Sequence, residues 1–319
     1  MLVRFGFVAM SLNVKDASPS KTMTAKTFQS ISDRKAALQK VARIARENLR
    51  NTQRILYHCL AHDITFYRFS SKLIPLAGHE LVQRVNFVEH LKDEFRSIGE
   101  FVRKNGIRCG FHPDHFTVLN SPRKQVLKNS VADLRRHVNM LKAMGLNSAY
   151  KCNIHVGGVY GDKKASGETF KKNFVRLHPE LQEHLCLEND DKSFTAQETL
   201  EIACSCNIPM VLDIHHHRCN HHGEGLEDLW PHIAETWKGE AFPPKVHISS
   251  PKSEQEFRNH ADEINPADLI PFLKIAREHS KHLDIMIEAK QKDLALFKLM
   301  KEMETLPEVK VINGASIEI

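Results

Sequence analysis

The feature that most constrains this chain is an eightfold alternation of short β-branched or aromatic runs with longer amphipathic stretches, continued from one end to the other. Strand-like runs fall at 3–8, 65–69, 108–111, 149–155, 185–188, 210–213, 245–249 and 284–289. Helical patterns lie near 33–60, 91–105, 126–144, 168–177, 196–206, 226–237, 266–279 and 293–303. Repeated βα units lay parallel strands side by side, and eight of them close on themselves, so the expected fold is an α/β TIM (β/α)8 barrel. Boundary signals agree. Asn265-Pro266 offers an N-cap with proline at the first helical position, and Asn105-Gly106 and Gly145 stand where helices should stop. No Gly/Ser/Pro-rich linker divides the 319 residues, which are expected to form one barrel domain with a long first βα loop around 18–21.

In such a barrel the C-terminal ends of the strands line one mouth, so residues far apart in sequence converge there. The third strand ends in Phe111-His112-Pro113, the fourth in His155-Val156-Gly157-Gly158, and the fifth in Glu188-Asn189-Asp190-Asp191. The sixth ends in Asp213-Ile214-His215-His216-His217, the seventh reads Lys245-Val246-His247, and the eighth ends at Glu288. Any one of these alone is more often a hydrogen-bonded core or loop residue than a ligand. Six strands in succession are another matter, because crowding ionisable groups together costs several kcal/mol unless they are paired or coordinate a cation. Lys245 and His247 share a strand face by the two-residue period and point inward or outward together.

Twenty histidines are the anomaly of the composition, since neutral imidazole is the commonest transition-metal ligand. Three or more imidazoles with three or more carboxylates suit Mn, Zn, Mg or Fe, and exceed what one four-coordinate ion uses; two or three divalent ions are expected. Such ions about 3.5–4 Å apart are the usual apparatus for hydrolysing phosphodiesters. The net charge of +6 is compatible with a polyanionic partner and decides nothing alone. The seven cysteines are scattered, with Cys204-Ser-Cys206 one spacer short of a metal or redox motif, and read as buried thiols. No run approaches a membrane span and the first residues do not form a signal peptide, so a cytoplasmic location is expected, nucleoid-associated in a prokaryote.

The ordered strand-end motifs resemble one family. Gly6-Phe7, Ser70 to His79, Phe111-His112-Pro113, His155 to Lys163, Leu187-Glu188-Asn189-Asp190, Asp213-Ile214-His215-His216 and Lys245 to Ser249 together are similar to the UV damage endonucleases, relatives of endonuclease IV among the xylose-isomerase-like barrels. The resemblance runs along essentially the whole chain. It implies His79, His112, His155, Glu188, Asp213, His216, His247, His260 and Glu288 as metal ligands, with Lys245 as a carbamate bridging two metals. Lys245, Glu188 and His247 would carry the chemistry. It further implies a monomer that kinks damaged double-stranded DNA, flips the damaged nucleotides and nicks 5′ to the lesion, leaving a 3′-hydroxyl. His115-Phe116 stand where the family carries a Gln-Tyr wedge, Phe7 where a tyrosine is common, and Lys163 in a DNA-contacting motif. Around the rim Arg68, Lys72, Arg84, Arg123, Lys124, Lys163 and Lys164 are candidates for phosphate contacts, which set register without reading sequence. Within 215–222, five of eight residues are histidine; only His216 is expected to ligate, with His221 and His222 in a loop.

Three other readings use much of the same chemistry. A metal-dependent sugar isomerase or epimerase shares the barrel and needs fewer ligands around a closed pocket. An abasic-site endonuclease like endonuclease IV would have nearly the same metal set. A non-catalytic DNA-binding or metal-storage protein would leave Lys245 and Glu288 without a reason.

Overall fold

A computed structural model describes all 319 residues. The first half runs β1 (Leu2–Val8), α1 (Ala25–Gln29), α2 (Arg34–Ala61), β2 (Phe66–Arg68), α3 (Phe87–His90), α4 (Lys92–Lys104), β3 (Arg108–Gly110), α5 (Lys124–Ala143) and β4 (Cys152–His155). It continues through α6 (Lys163–Val175), α7 (Pro179–Glu183), β5 (Leu185–Glu188), α8 (Ala196–Cys206), β6 (Met210–Asp213), α9 (Ile214–Cys219) and α10 (Leu226–Glu235). The last stretch holds β7 (Lys245–Ile248), α11 (Pro266–Ala276), β8 (His282–Ile287), α12 (Lys292–Met303), β9 (Lys310–Asn313) and β10 (Ser316–Glu318). Strands β1 to β8 are parallel neighbours in the order β3-β2-β1-β8-β7-β6-β5-β4. The last gap is closed by a single bridge, Phe111 to Cys152, through Asn153 N–H to Phe111 O at 2.9 Å and Phe111 N–H to Lys151 O at 3.3 Å. The eight expected strands are therefore present and form a nearly closed barrel.

Caps explain the boundaries. Asn265 caps Ala267 N–H at 3.0 Å with Pro266 in the first turn of α11, and Gly106 and Gly145 take φ of 62° and 69° just past α4 and α5, where a side chain would be disfavoured. Helix α6 begins five residues before the expected 168, because the Asp162 side chain accepts from Ala165 N–H at 2.9 Å and starts the helix there. The β9–β10 hairpin is an addition to the expected elements, and β2 explains its presence. That strand is three residues long and meets β1 only along Gly6–Val8, while β10 pairs antiparallel with Leu2–Arg4 and so covers the edge that β2 leaves open.

One cluster of 73 buried hydrophobic residues, from Val3 to Ile317, fills the layer between strands and helices. Inside the barrel the filling is unusual. TIM barrels mostly stack Val, Ile and Leu there. Here the lower layer is a buried ion cluster: Asp284 accepts from Arg4 Nε at 2.6 Å and Arg108 Nη1 at 2.7 Å, and the Arg108 guanidinium lies 5.0–5.4 Å from the rings of Phe66, Trp237 and Phe242. Above it Lys245 Nζ is 3.6 Å from Cys186 Sγ, whose thiol donates to Asn153 Oδ1 at 2.7 Å, and the Asn153 amide donates to Glu188. Polar contacts thus lead continuously from the middle of the barrel to the mouth.

Candidate metal centre at the strand ends

Strands β4 to β7, with the residue after β8 and the loop after β3, bring His155, Glu188, Asp213, His247, Glu288 and His112 to one rim. Three groups of donor atoms lie close enough to share an ion: His112, His155 and Glu188; Glu188, Asp213 and His216; Glu188, His247 and Glu288. Glu188 belongs to all three. It is 1% exposed, with Oε2 3.2 Å from His112 Nε2 and Oε1 3.0 Å from His247 Nδ1. His247 Nδ1 also lies 3.1 Å from Glu288 Oε1.

The imidazoles are oriented by the backbone. His112 Nδ1 donates to Pro113 O at 2.9 Å, His155 Nδ1 to Glu188 O at 3.2 Å, His216 Nδ1 to Asn189 O at 3.0 Å and His260 Nδ1 to Glu288 O at 2.8 Å. In the neutral ring each such bond places the proton on Nδ1 and leaves the Nε2 lone pair free, which is how metal-binding histidines are usually held. The charge balance agrees. Burial opposes ionisation of Glu188, yet His247 and His155 hold its carboxyl well below the usual range. Burial likewise disfavours the His216 imidazolium, but Asp213, Glu188 and Glu288 overcome it and raise its pKa to about 9. Burial lowers the His112 pKa with Glu188 opposing it, and both ring nitrogens face acceptors, Nδ1 the Pro113 carbonyl and Nε2 a Glu188 oxygen, where a neutral imidazole has only one proton to give.

A cation resolves that arrangement. Two further atoms ask for one: Asp213 Oδ2 and His247 Nε2 are buried without a hydrogen-bond partner. The donors are nitrogen and oxygen throughout, so the residues present fit divalent ions of the Mn, Zn, Mg or Fe type.

Other expected positions fall differently. His260 lies beside the triads, its ring 6.3 Å from that of His216. His79 sits in the β2–α3 loop outside all three; its Nδ1 accepts from Leu81 N–H at 3.2 Å, the opposite tautomer to the other rings. Lys245 does point inward with His247, one layer below the carboxylates, and burial lowers its pKa. Phe7 is corrected. It is fully buried with its ring edge-on to Tyr67 at 5.5 Å, because the two-residue period turns Gly6 and Val8 inward and Phe7 toward the helices, away from any DNA. Arg68 is corrected as well: it is ion-paired with Glu288 inside the mouth and is not a free rim cation. Lys72, Arg84, Arg123, Lys124 and Lys164 are exposed as expected, and Lys163 pairs with Glu198 at 3.1 Å. His115 and Phe116 are exposed on the β3–α5 loop, Phe116 by 62%. His221 and His222 lie on an exposed turn, whereas His215 and His217 are buried. Of the cysteines, Cys204 is exposed and Cys206 and Cys219 partly so, which corrects their reading as uniformly buried.

Three residues of the site escape a reading of the sequence. Asn153 stands two residues before His155 and shares its inward face by strand period. Asn189 holds the end of β6 by accepting from Asp213 N–H and donating to Asp213 O, both at 2.9 Å. Cys186 lies two residues before Glu188 on the inner face of β5.

Comparison with known proteins agrees with the geometry. The family model described as UV-endonuclease UvdE matches residues 3–319. A UV DNA damage endonuclease of Bacillus cereus (strain B4264) is 42% identical over 318 residues, covering 100% of both chains. The crystal structure of SacUVDE superposes with a TM-score of 0.83 at 31% identity, covering 95% of this chain and 100% of that one. Endonuclease IV from Thermus thermophilus shares the fold alone, with a TM-score of 0.51 at 16% identity over 89% of this chain and 91% of its own.

Proposed function

The chain belongs to the UV-endonuclease UvdE family, and from that premise we propose that it repairs UV-damaged DNA by nicking the duplex immediately 5′ to pyrimidine photoproducts through metal-assisted phosphodiester hydrolysis. The observation that carries the reading is the sharing of Glu188 by three donor groups at the mouth of a barrel of this family. Bound divalent ions would supply an activated water and stabilise charge on the attacking and leaving oxygens. His112, His155, Glu188, Asp213, His216, His247, His260 and Glu288 would hold two or three of them, manganese first, with His79 joining only after its ring turns from Leu81. The buried Lys245 amine, whose pKa burial lowers, is suited to add carbon dioxide and lose a proton, giving the carbamate that the family resemblance implies.

The protein's own groups would do the remaining work. Asn153 fixes the Glu188 carboxylate from below, Asn189 fixes the start of α9 and so the His216 ring, and Arg68 restrains Glu288. The exposed rim lysines and arginines would hold phosphates, and His115-Phe116 would fill the gap left by displaced bases, since stacking accepts any base face. The substrate is damaged double-stranded DNA, and the protein acts as a monomeric single-domain enzyme near the nucleoid. No helix is long and apolar enough to cross a membrane.

The test is incision of a labelled duplex carrying one cyclobutane dimer, with manganese and then with chelator, beside abasic and undamaged duplexes. A manganese-dependent nick 5′ to the dimer is expected; cutting of the abasic duplex alone would assign the endonuclease IV activity instead. Phe116→Ala should lower the preference for damaged over undamaged duplex by about tenfold while leaving bound metal unchanged. An unaltered preference in binding measurements would remove Phe116 from the wedge.

A further inference from the structure

A second exposed aromatic stands on the same rim. Tyr160, in the β4–α6 loop five residues after His155, is 45% exposed and adopts left-handed backbone (φ 44°) between Gly157 and Gly161, whose φ are 114° and 87°. A tyrosine is disfavoured in that conformation and stays there only where its surroundings fix it. They do so here: Val159 O accepts from Asp162 N–H at 3.0 Å and from Ser166 Oγ at 2.5 Å. The ring is also seated. A Cβ on Gly158 would lie 3.2, 3.3 and 3.6 Å from Tyr160 Cζ, Cε2 and Cε1, while the hydroxyl is not among its nearest atoms. An approach in the ring plane would meet the hydroxyl first, so Gly158 lies against one face of the ring, while the residue keeps 45% of its surface exposed.

This loop is joined to the one bearing Phe116. Asn120 Nδ2 donates to Gly158 O at 2.7 Å, and a Cβ on Gly157 would meet Asn120 Oδ1 and Val118 at 2.3 and 3.0 Å. The Phe116 loop is in turn pinned to α5 by Thr117 Oγ1 to Asp133 at 2.7 Å and Val118 N–H to Ser130 Oγ at 3.0 Å. Two exposed aromatics are thus carried on one rigid pair of loops beside the candidate metal centre. We propose that Tyr160 is a second stacking platform, receiving on its exposed surface a nucleobase displaced from the duplex while Phe116 occupies the gap. The proposal rests on the reading above that the substrate is damaged duplex DNA. A flat ring backed by peptide and partly exposed suits the face of a base, and a base of any identity can use it.

The probe is a dimer-containing duplex with a non-hydrolysable linkage 5′ to the lesion and 2-aminopurine placed, one position at a time, beside the lesion or opposite it. Tyr160→Ala should weaken binding about tenfold and abolish the fluorescence change at one of these positions, with Tyr160→Phe and Tyr160→Trp within about twofold of the wild type. Gly158→Ala keeps the tyrosine but crowds its ring, and should copy the loss while melting normally. Wild-type affinity in Tyr160→Ala, or a Phe variant as weak as the Ala variant, would overturn the proposal. Failure of the wild-type protein to bind or nick dimer DNA would instead remove the functional reading beneath it.

Discussion

Glu188→Gln should lower incision of a dimer-containing duplex by roughly 10³-fold or more while the protein melts close to its usual temperature. The substitution keeps the shape of the side chain and removes one negative charge and one acceptor oxygen. Both oxygens are in use: Oε1 faces His247 Nδ1 at 3.0 Å, and Oε2 accepts from Asn153 and faces His112 Nε2 at 3.2 Å. Whichever way the amide turns, one of these contacts becomes donor against donor or loses its charge. Because Glu188 alone belongs to all three donor groups, one change should weaken every ion, whereas loss of Asp213 or Glu288 would reach one group each. Calorimetric titration with manganese separates the outcomes. Reduced metal uptake with lost incision is expected; incision within tenfold of wild type would remove Glu188 from the centre.

Much of this centre is legible in the sequence because strand geometry is simple. The period of two fixes which residues face inward, and the barrel fixes which end holds the site, so His112, His155, Glu188, Asp213, His247 and Glu288 can be placed without coordinates. What escapes depends on turns. His79 lies in the loop well beyond the end of β2, where no periodicity constrains direction, and the structure leaves it outside the donor groups. Phe7 is expected at the DNA by family position alone; parity applied to β1 turns it toward the helices, where it is fully buried. Arg68 obeys the same parity on β2, alongside the inward strand ends, and its pairing with Glu288 follows from barrel closure through β1. The C-terminal hairpin escapes because its purpose, covering the lower edge of β1, is visible only once β2 is known to be three residues long.

The floor of the barrel carries the largest stability effect. Asp284→Ala should cost about 3–5 kcal/mol, because it leaves two guanidiniums without their shared carboxylate. Asp284 is fully buried, and Arg108, 3% exposed, has burial working against its charge, with Asp284 the main opposing influence. The rings of Phe66, Trp237 and Phe242 soften the loss at Arg108 without replacing the two ion pairs and three short hydrogen bonds that Asp284 makes. In a chain of this size that corresponds to a fall in melting temperature on the order of 5–10 °C. Asp284→Asn, which keeps an acceptor, should fall between the alanine variant and the wild type. The same strand leads to Glu288 just beyond its end, yet the metal donors belong to a higher layer, so incision assayed well below the melting transition should survive in both variants. A melting temperature indistinguishable from the wild type would show that the aromatic box alone holds Arg108. Lost incision in the folded Asp284→Ala protein would show that the ion cluster on the floor positions the metal centre above it.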